Sequence, residues 1–233
     1  MAATDRLWCI VPAAGSGQRF GADVPKQYLP LAGTLMLMRT LERLAECAEI
    51  GGLMIVLAAN DTHWPGLGEI GGKPVRTAIG AAERSGSVLA GLRALPADVG
   101  VDDFVLVHDA ARPCVAVADI TRLVACGAAA GGALLAAPVR DTLKRGTGDH
   151  RVAATEPRDG LWRALTPQMF RRGELTAALH AAEAAGVAVT DEAMAMERAG
   201  HRPLLVEGAE DNIKVTTPAD LALAAFLLQR LED

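Results

Sequence analysis

Short apolar runs recur along this chain, and stretches of helical length separate them. Leu7 to Val11 (LWCIV), Leu53 to Ala59 (LMIVLAA), Phe104 to Val107 (FVLV) and Gly132 to Val139 (GALLAAPV) read as strands bounded by turn residues, and Val75 to Ile79 as a weaker one. Leu35 to Cys47 has the spacing of an amphipathic helix that ends before Gly51-Gly52. Ser87 to Leu95 reads as a helix capped by its serine and stopped at Pro96, and Val117 to Ala130 as another. Thr217-Pro218-Ala219-Asp220 marks the last helix with an N-cap, a proline at the first position and an acid in the first turn. Strands alternating with helices predict an α/β fold, a mostly parallel twisted sheet covered by helices on both faces and joined by right-handed crossovers. Ligands of such sheets sit beyond the carboxyl ends of the strands. The loops after Val11, Ala59, Ile79 and Val107 therefore share one functional rim.

Arg140 to Arg158 (RDTLKRGTGDHRVAATEPR) breaks this rhythm. Its strand-like ends flank Gly146-Thr147-Gly148, which predicts a β-hairpin arm, about residues 139–158, protruding from the main sheet. A protruding arm needs a partner surface, so a homodimer is expected. No linker or repeat divides residues 1–233, which predicts one domain, with no room for a second after Asp233.

Composition excludes several classes. The net charge of -5 argues against nucleic acid as the main partner, and three Trp, one Tyr and four Phe are too few for base-stacking platforms. No stretch approaches the length of a membrane span, and the N-terminus lacks the layout of a signal peptide, so the cytoplasm is expected. Cys9, Cys47, Cys114 and Cys126 share no close spacing, and the five histidines form no i, i+4 pair. Buried reduced thiols are the reading, and no histidine is assigned to a metal.

The turn after the first strand carries chemistry. Gly15-Ser16-Gly17 can aim backbone N–H groups at an anion. It is not a P-loop, and Phe20 occupies the third glycine position of the dinucleotide fingerprint, which disfavours a dehydrogenase. Arg19 and Lys26 lie in the same loop, with Pro25 restricting the backbone before Lys26. A backbone cradle with a guanidinium and an ammonium suits a triphosphate undergoing phosphoryl transfer. Two solvated cations on a surface loop carry the same local signature.

The rest of the chain bears on that choice. "PAAGSGQRF" with "PKQYL" resembles the opening of nucleotidyltransferases that join a sugar or polyol phosphate to a nucleotide, and "VLVHDAARP" (105–113) resembles their cytidylyltransferase branch. "APVRDTLKR", "LWRALTPQMF", "TDEAMAMERAG" and "VEGAEDNIKVTTPADLALA" resemble the 2-C-methyl-D-erythritol 4-phosphate cytidylyltransferase family, in matching order over about residues 7 to 228.

That resemblance implies a Rossmann-like domain, a β-arm shared across a homodimer, magnesium on the triphosphate, and direct attack of the acceptor phosphate on the α-phosphorus of CTP. It implies nucleotide contacts at Ala13, Ala14, Gly15 and Gly17. It places Arg19 and Lys26 at the transferring phosphorus, and Gly80, Ala81, Ala82 and Ser87 at the cytosine. Ala81 and Ala82 stand where the family has Gly and often a polar residue, and Ser87 also reads as a helix cap. Asp109 is implied at the acceptor hydroxyls and as the candidate magnesium ligand, with Asp211 a second acidic candidate. Arg112, Thr142, Arg158, Thr166, Thr190 and Lys214 match the acceptor pocket, where Arg158 and Lys214 hold the phosphate as catalytic cations. Thr142 and Arg158 lie at the ends of the arm and would enter the neighbouring subunit's site. His108 reads as packing or local hydrogen bonding, Asp191-Glu192 as first-turn acids of a helix, and Arg171-Arg172 as a solvated pair. Two rivals remain: the same chemistry on ribitol 5-phosphate, and a non-catalytic nucleotide-binding regulator. The latter predicts loss of a charged site residue, and Arg19, Lys26, Asp109, Arg158 and Lys214 are all present.

Overall fold

A computed structural model describes residues 7–15 and 24–232. The described strands and helices follow in the order β1 (Leu7–Pro12), β2 (Pro30–Leu31), β3 (Thr34–Leu35), α1 (Met36–Glu46), β4 (Ile50–Leu57), β5 (Glu69–Ile70), β6 (Lys73–Ile79), α2 (Arg84–Ala94), β7 (Phe104–Val107) and α3 (Val117–Ala130). They continue with β8 (Ala133–Pro138), β9 (Leu143–Gly146), β10 (Val152–Glu156), β11 (Trp162–Arg171), α4 (Arg172–Ala184), α5 (Glu192–Arg198), β12 (Leu204–Glu207) and α6 (Pro218–Glu232).

Eight strands form one sheet in the order β12-β8-β11-β7-β1-β4-β6-β5. The pairs β1 with β4 and β7, β4 with β6, and β8 with β12 are parallel. β11 runs antiparallel between β7 and β8, and β5 runs antiparallel to β6. The side chains of the strands divide with period two. Cys9, Val11, Leu53, Ile55 and Leu106 join Leu37, Leu41 and Leu44 of α1 and Ile120 and Leu123 of α3. Ile10, Met54, Val56, Val105 and Val107 join Val88, Leu89 and Leu92 of α2, Leu175 and Leu179 of α4 and Met196 of α5. Both faces of the sheet are thereby covered, which is why its strands read as unbroken apolar runs.

The segment expected to form the arm is an antiparallel hairpin, β9 with β10, separate from the main sheet. α6 has the expected cap. Asp220 Oδ2 accepts from the Thr216 and Thr217 amides at 2.9 and 2.8 Å.

Three expectations need correction. The strand expected from Leu53 begins at Ile50 and takes in Gly51-Gly52, where a Cβ on Gly52 would come within 2.6 Å of the Trp8 ring. The helix expected from Ser87 begins at Arg84, so Ser87 is inside its first turns and is not a cap. Arg171 and Arg172 are not a solvated pair. Arg171 stacks 4.6 Å over the Phe104 ring and donates to the Asp102 carbonyl, while Arg172 donates to that of Val99.

Candidate active site

The strand ends gather loops that are remote in sequence. Ala13 N–H donates to the Val56 carbonyl at 2.8 Å, Gly80 N–H to Leu57 at 2.8 Å and His108 N–H to Ile10 at 2.9 Å, so the ladders continue past the strands and fix each loop's departure. Beyond them opens a cleft of about 580 Å³. Pro12 to Gly15 line it after β1, Ala81 to Arg84 and Ser87 after β6, Asp109 to Ala111 after β7, with Lys26, Gln27, Lys214 and Thr216 closing the rim. Three of the four loops expected on this rim are there. The loop after Ala59 is not among the lining residues.

The turn after β1 is held from below. Buried Gln27 donates its Nε2 to the Ala13 carbonyl at 2.7 Å, and Lys26 donates Nζ to the Val215 carbonyl at 3.0 Å. This brings the loop of Lys26 beside that of Lys214. A Cβ on Gly15 would meet no described atom within 4 Å. Gly80 is different: a Cβ there would lie 2.7 Å from the Ala14 Cβ and 2.8 Å from Ser87 Oγ. The turns after β1 and β6 thus touch only because position 80 lacks a side chain. Ser87 Oγ accepts from the Ala81 amide at 3.1 Å and reaches the Ala81 and Glu83 carbonyls at 3.2 and 3.1 Å. Its hydroxyl shapes the turn of Ala81 and Ala82 from inside the helix.

Asp109 is the electrostatic centre. Its Oδ1 accepts from Arg84 Nε at 2.9 Å, and its Oδ2 faces Lys214 Nζ at 2.9 Å and Arg112 Nε at 3.4 Å. Burial opposes its charge, but Arg84, Lys214 and Arg112 overcome that and hold its carboxyl well below the usual carboxylate range. Arg84 in turn makes a bidentate pair with Glu192, Nη1 to Oε1 at 2.6 Å and Nη2 to Oε2 at 3.1 Å. Among the described residues, Lys26, Arg84, Arg112 and Lys214 stand against Glu83, Asp109 and Glu192, a positive balance that favours anions.

Beneath Asp109 lies a fully buried polar layer. His108 Nε2 sits 3.0 Å from the Arg112 carbonyl, which can only accept, so Nε2 carries the proton and Nδ1 accepts from the Thr166 hydroxyl at 3.0 Å. Thr166 Oγ1 also accepts from the Asp109 amide at 3.1 Å. Burial lowers the His108 pKa to about 4, which keeps the ring neutral. Local hydrogen bonding, as expected from sequence, is its role. Arg112 Nη1 donates to the Asn212 carbonyl at 2.6 Å, and Asn212 Nδ2 to that of Thr166 at 2.7 Å.

The fold therefore brings Ala13, Ala14, Gly15, Lys26, Ala81, Ala82, Ser87, Asp109 and Lys214 together at the cleft, with Gly80 packed between Ala14 and Ser87. Arg112 and Thr166 sit directly behind Asp109. Thr142, Arg158 and Thr190 do not line the cleft and are exposed. Arg158 donates to the Arg140 carbonyl at the root of the hairpin. Gly17 and Arg19 lie outside the described residues. Sequence reasoning missed Arg84, Glu192, Gln27 and Asn212. Arg84 left a signal: a cation in the first turn of a helix opposes the macrodipole and needs local acids to explain it. Asp191 is the N-cap of α5, accepting from the Met194 amide, and Glu192 is a first-turn acid as expected, but it is also buried and ion-paired with Arg84.

The family model for 2-C-methyl-D-erythritol 4-phosphate cytidylyltransferase (IspD) matches residues 7–230 of this chain. The chain belongs to that family. It is thus a nucleotidyltransferase of isoprenoid precursor biosynthesis. The 2-C-methyl-D-erythritol 4-phosphate cytidylyltransferase of Stenotrophomonas maltophilia (strain R551-3) is 59% identical over 225 residues, 96% of this chain and 97% of the relative. A crystal structure of the same-named protein from Francisella tularensis superposes with a TM-score of 0.81 at 32% identity, covering 95% of this chain and 99% of that one. That from Thermus thermophilus gives 0.77 at 29% identity, covering 96% and 99%. These solved structures share the fold of the mixed sheet. Among the described residues, no helix is long and apolar enough to cross a membrane.

Proposed function

We propose that this protein transfers CMP from CTP to 2-C-methyl-D-erythritol 4-phosphate, in the cytoplasm, by direct attack of the acceptor phosphate on the α-phosphorus with release of pyrophosphate. The observation that carries the reading is the convergence of Lys26, Lys214 and the Asp109 cluster on the turn of Ala13 to Gly15. The attacking phosphate is already ionised near neutral pH, so no general base is required. Position and fixed charge supply the rate. Lys26 neutralises the transferring and leaving phosphates together with Arg19. The backbone of Ala13 to Gly15 and Gly17 receives the triphosphate, and the turn of Gly80 to Ala82, tied to Ser87, reads the base.

Asp109 takes the acceptor hydroxyls while Lys214, half-exposed on the cleft side of Asp109, takes the acceptor phosphate. Arg112 and Thr166 act from behind by fixing Asp109. Thr142 and Arg158 reach the phosphate from the arm of a second copy, which makes the homodimer the complete enzyme. Thr190 closes the acceptor pocket.

Magnesium, implied by the family, finds one fitting side chain at the cleft. Asp109 Oδ2 has two cationic partners but Oδ1 has only Arg84 among the described residues, leaving a lone pair open. A single carboxylate completed by phosphate oxygens is a set that Mg²⁺ accepts. Bound there, the ion would screen the triphosphate charge. Among the described residues no group of three or more His, Cys, Asp or Glu builds a cage without substrate.

The test is pyrophosphate release with CTP, UTP, ATP or GTP against methylerythritol phosphate and ribitol 5-phosphate. Turnover confined to CTP with methylerythritol phosphate is expected. Preference for ribitol phosphate would overturn the acceptor, and CTP binding without turnover would overturn the enzymatic reading.

A further inference from the structure

We propose that Arg84 is a positioning residue for the transfer reaction, setting the carboxylate of Asp109 through a strut anchored on buried Glu192. The inference rests on the reading above that Asp109 meets the acceptor.

Arg84 makes three directed contacts. Nε reaches Asp109 Oδ1 at 2.9 Å, and the two terminal nitrogens grip both oxygens of Glu192 at 2.6 and 3.1 Å. A rigid planar fork with partners on two edges fixes the two carboxylates relative to each other, which the point charge of a lysine cannot do.

The far end of the strut does not move easily. The Glu192 side chain is 1% exposed. It is the first residue of α5, whose start is locked to β11. Gln168 Oε1 accepts from the Ala193 amide at 2.8 Å, and its Nε2 donates to Asp191 Oδ2 at 3.0 Å. Asp191 Oδ1 accepts from the Met194 amide at 2.9 Å. The near end opens on the cleft, where the Arg84 side chain is 27% exposed. Position therefore passes from the core outward, from β11 through α5 and α2 to Asp109.

A tie that served stability alone would not look like this. Buried ion pairs are weak contributors to stability, since desolvation offsets their attraction. Arg84 also occupies the first position of α2, the wrong end of a helix for a cation. Of the two oxygens of Asp109, Oδ1 has Arg84 as its one partner among the described residues, so the orientation of that carboxylate depends on this contact. The base-reading turn has its own support in Ser87, which separates its geometry from that of the strut.

The experiment uses the full chain with CTP, Mg²⁺ and methylerythritol phosphate. Arg84→Lys, Arg84→Gln, Glu192→Gln and the double variant Arg84→Gln/Glu192→Gln are compared with wild type in steady-state kinetics and in calorimetric titration with CTP. Misplacing one charged hydrogen-bond acceptor is expected to raise the acceptor KM about tenfold. CTP affinity should stay within about twofold, since the side-chain bonds of Arg84 go to Asp109 and Glu192 and its loss removes no proposed nucleotide contact. The double variant should be no worse than the worse of Arg84→Gln and Glu192→Gln made alone, because the pair acts as a unit. In an Asp109→Asn background, the effect of Arg84→Lys should vanish.

Equal loss of CTP and acceptor affinity, or an Arg84→Lys effect that persists without the Asp109 carboxylate, would overturn the proposal. If Glu192→Gln does not fold, Arg84→Lys and its Asp109→Asn cross still decide. A wild-type enzyme silent with every acceptor would sink the reading of function instead. An active wild type with unchanged variants would sink the strut alone.

Discussion

The Asp109 cluster and the hairpin arm use the same chemistry in opposite settings. Arg84 meets Glu192 at 2.6 Å and Arg145 meets Glu156 at 2.6 Å, yet the acid is 1% exposed in the first pair and 32% in the second, whose arginine is 68% exposed. Arg151 and Asp149 at the hairpin tip are more exposed still. Distance alone therefore says little. In the cluster Asp109, Arg112 and Glu192 have left water and depend on their partners, so removing one strands the others. On the arm each charge keeps its hydration, and the pairs hold little. The cluster is completed by its own chain, whereas the arm presents Arg158 and Thr142 to whatever surface it meets.

The largest effect should come from emptying the centre of the cluster. Asp109→Ala leaves buried Arg112 and half-buried Arg84 facing each other, with Glu192 as the remaining counter-charge of the pair. Breaking a buried pair from one side costs about 3–5 kcal/mol. Urea denaturation should show that loss, with activity lost as well. An unchanged midpoint would mean that water already screens the cluster, and the contrast with the arm would collapse.

Acid is the next probe. His108 has a folded pKa of about 4, against 6.5 for an ordinary imidazole, because burial disfavours its charged form. Between those values the unfolded chain binds more protons than the folded one. Stability is thus fully present above pH 6.5 and falls as pH drops toward 4. Between pH 7 and pH 5 the loss from this one ring is about 2 kcal/mol. Asp109 adds nothing in that window, since its carboxyl is held well below the usual range and stays ionised in the fold. Denaturation midpoints at the two pH values, without divalent ions, should differ by that amount more in wild type than in His108→Gln. Equal differences would show that the ring is hydrated.

Sequence and structure agree where the reason is periodic. Phe104–Val107 and Val117–Ala130 match the elements to the residue, because a buried strand and a capped helix are local patterns. β11 has no such local pattern, and the sequence reading contains no strand there. Its first three residues are exposed, the next six buried, and Pro167 interrupts it. The proline is tolerated because the ladder to β8 skips from Ala164 to Gln168, a fact of pairing that no local window contains. The same division runs through the site. The loop residues Ala13 to Gly15 and Lys26, which line the cleft, are legible from a local motif. Arg84 and Glu192 are not, since 108 residues separate them and only the fold makes them neighbours.

On the arm, effects on function and on stability should part company. Arg158 is exposed and donates to the Arg140 carbonyl. Arg158→Ala should leave the urea midpoint within about 0.5 kcal/mol of wild type, as surface changes do. If it reaches a phosphate in the second subunit, the acceptor KM should rise about tenfold or more, the worth of one charged hydrogen bond. A matching fall in stability would place Arg158 in the fold of its own chain rather than in a neighbour's site.

The smallest effect sharpens the comparison most. A double-mutant cycle on Arg145 and Glu156 should return a coupling of about 0.5 kcal/mol, shrinking further in 1 M salt. The same cycle on Arg84 and Glu192, at the same 2.6 Å separation, should return several times as much and resist salt. Measured over a range of protein concentrations, the first value also reports on the arm's surroundings. If a second subunit covers Arg145, the pair loses hydration and its coupling should rise toward that of the cluster as protein concentration increases. A coupling that stays small at every concentration would leave this part of the hairpin in water even when the arm is docked, with any contact confined to its root at Thr142 and Arg158.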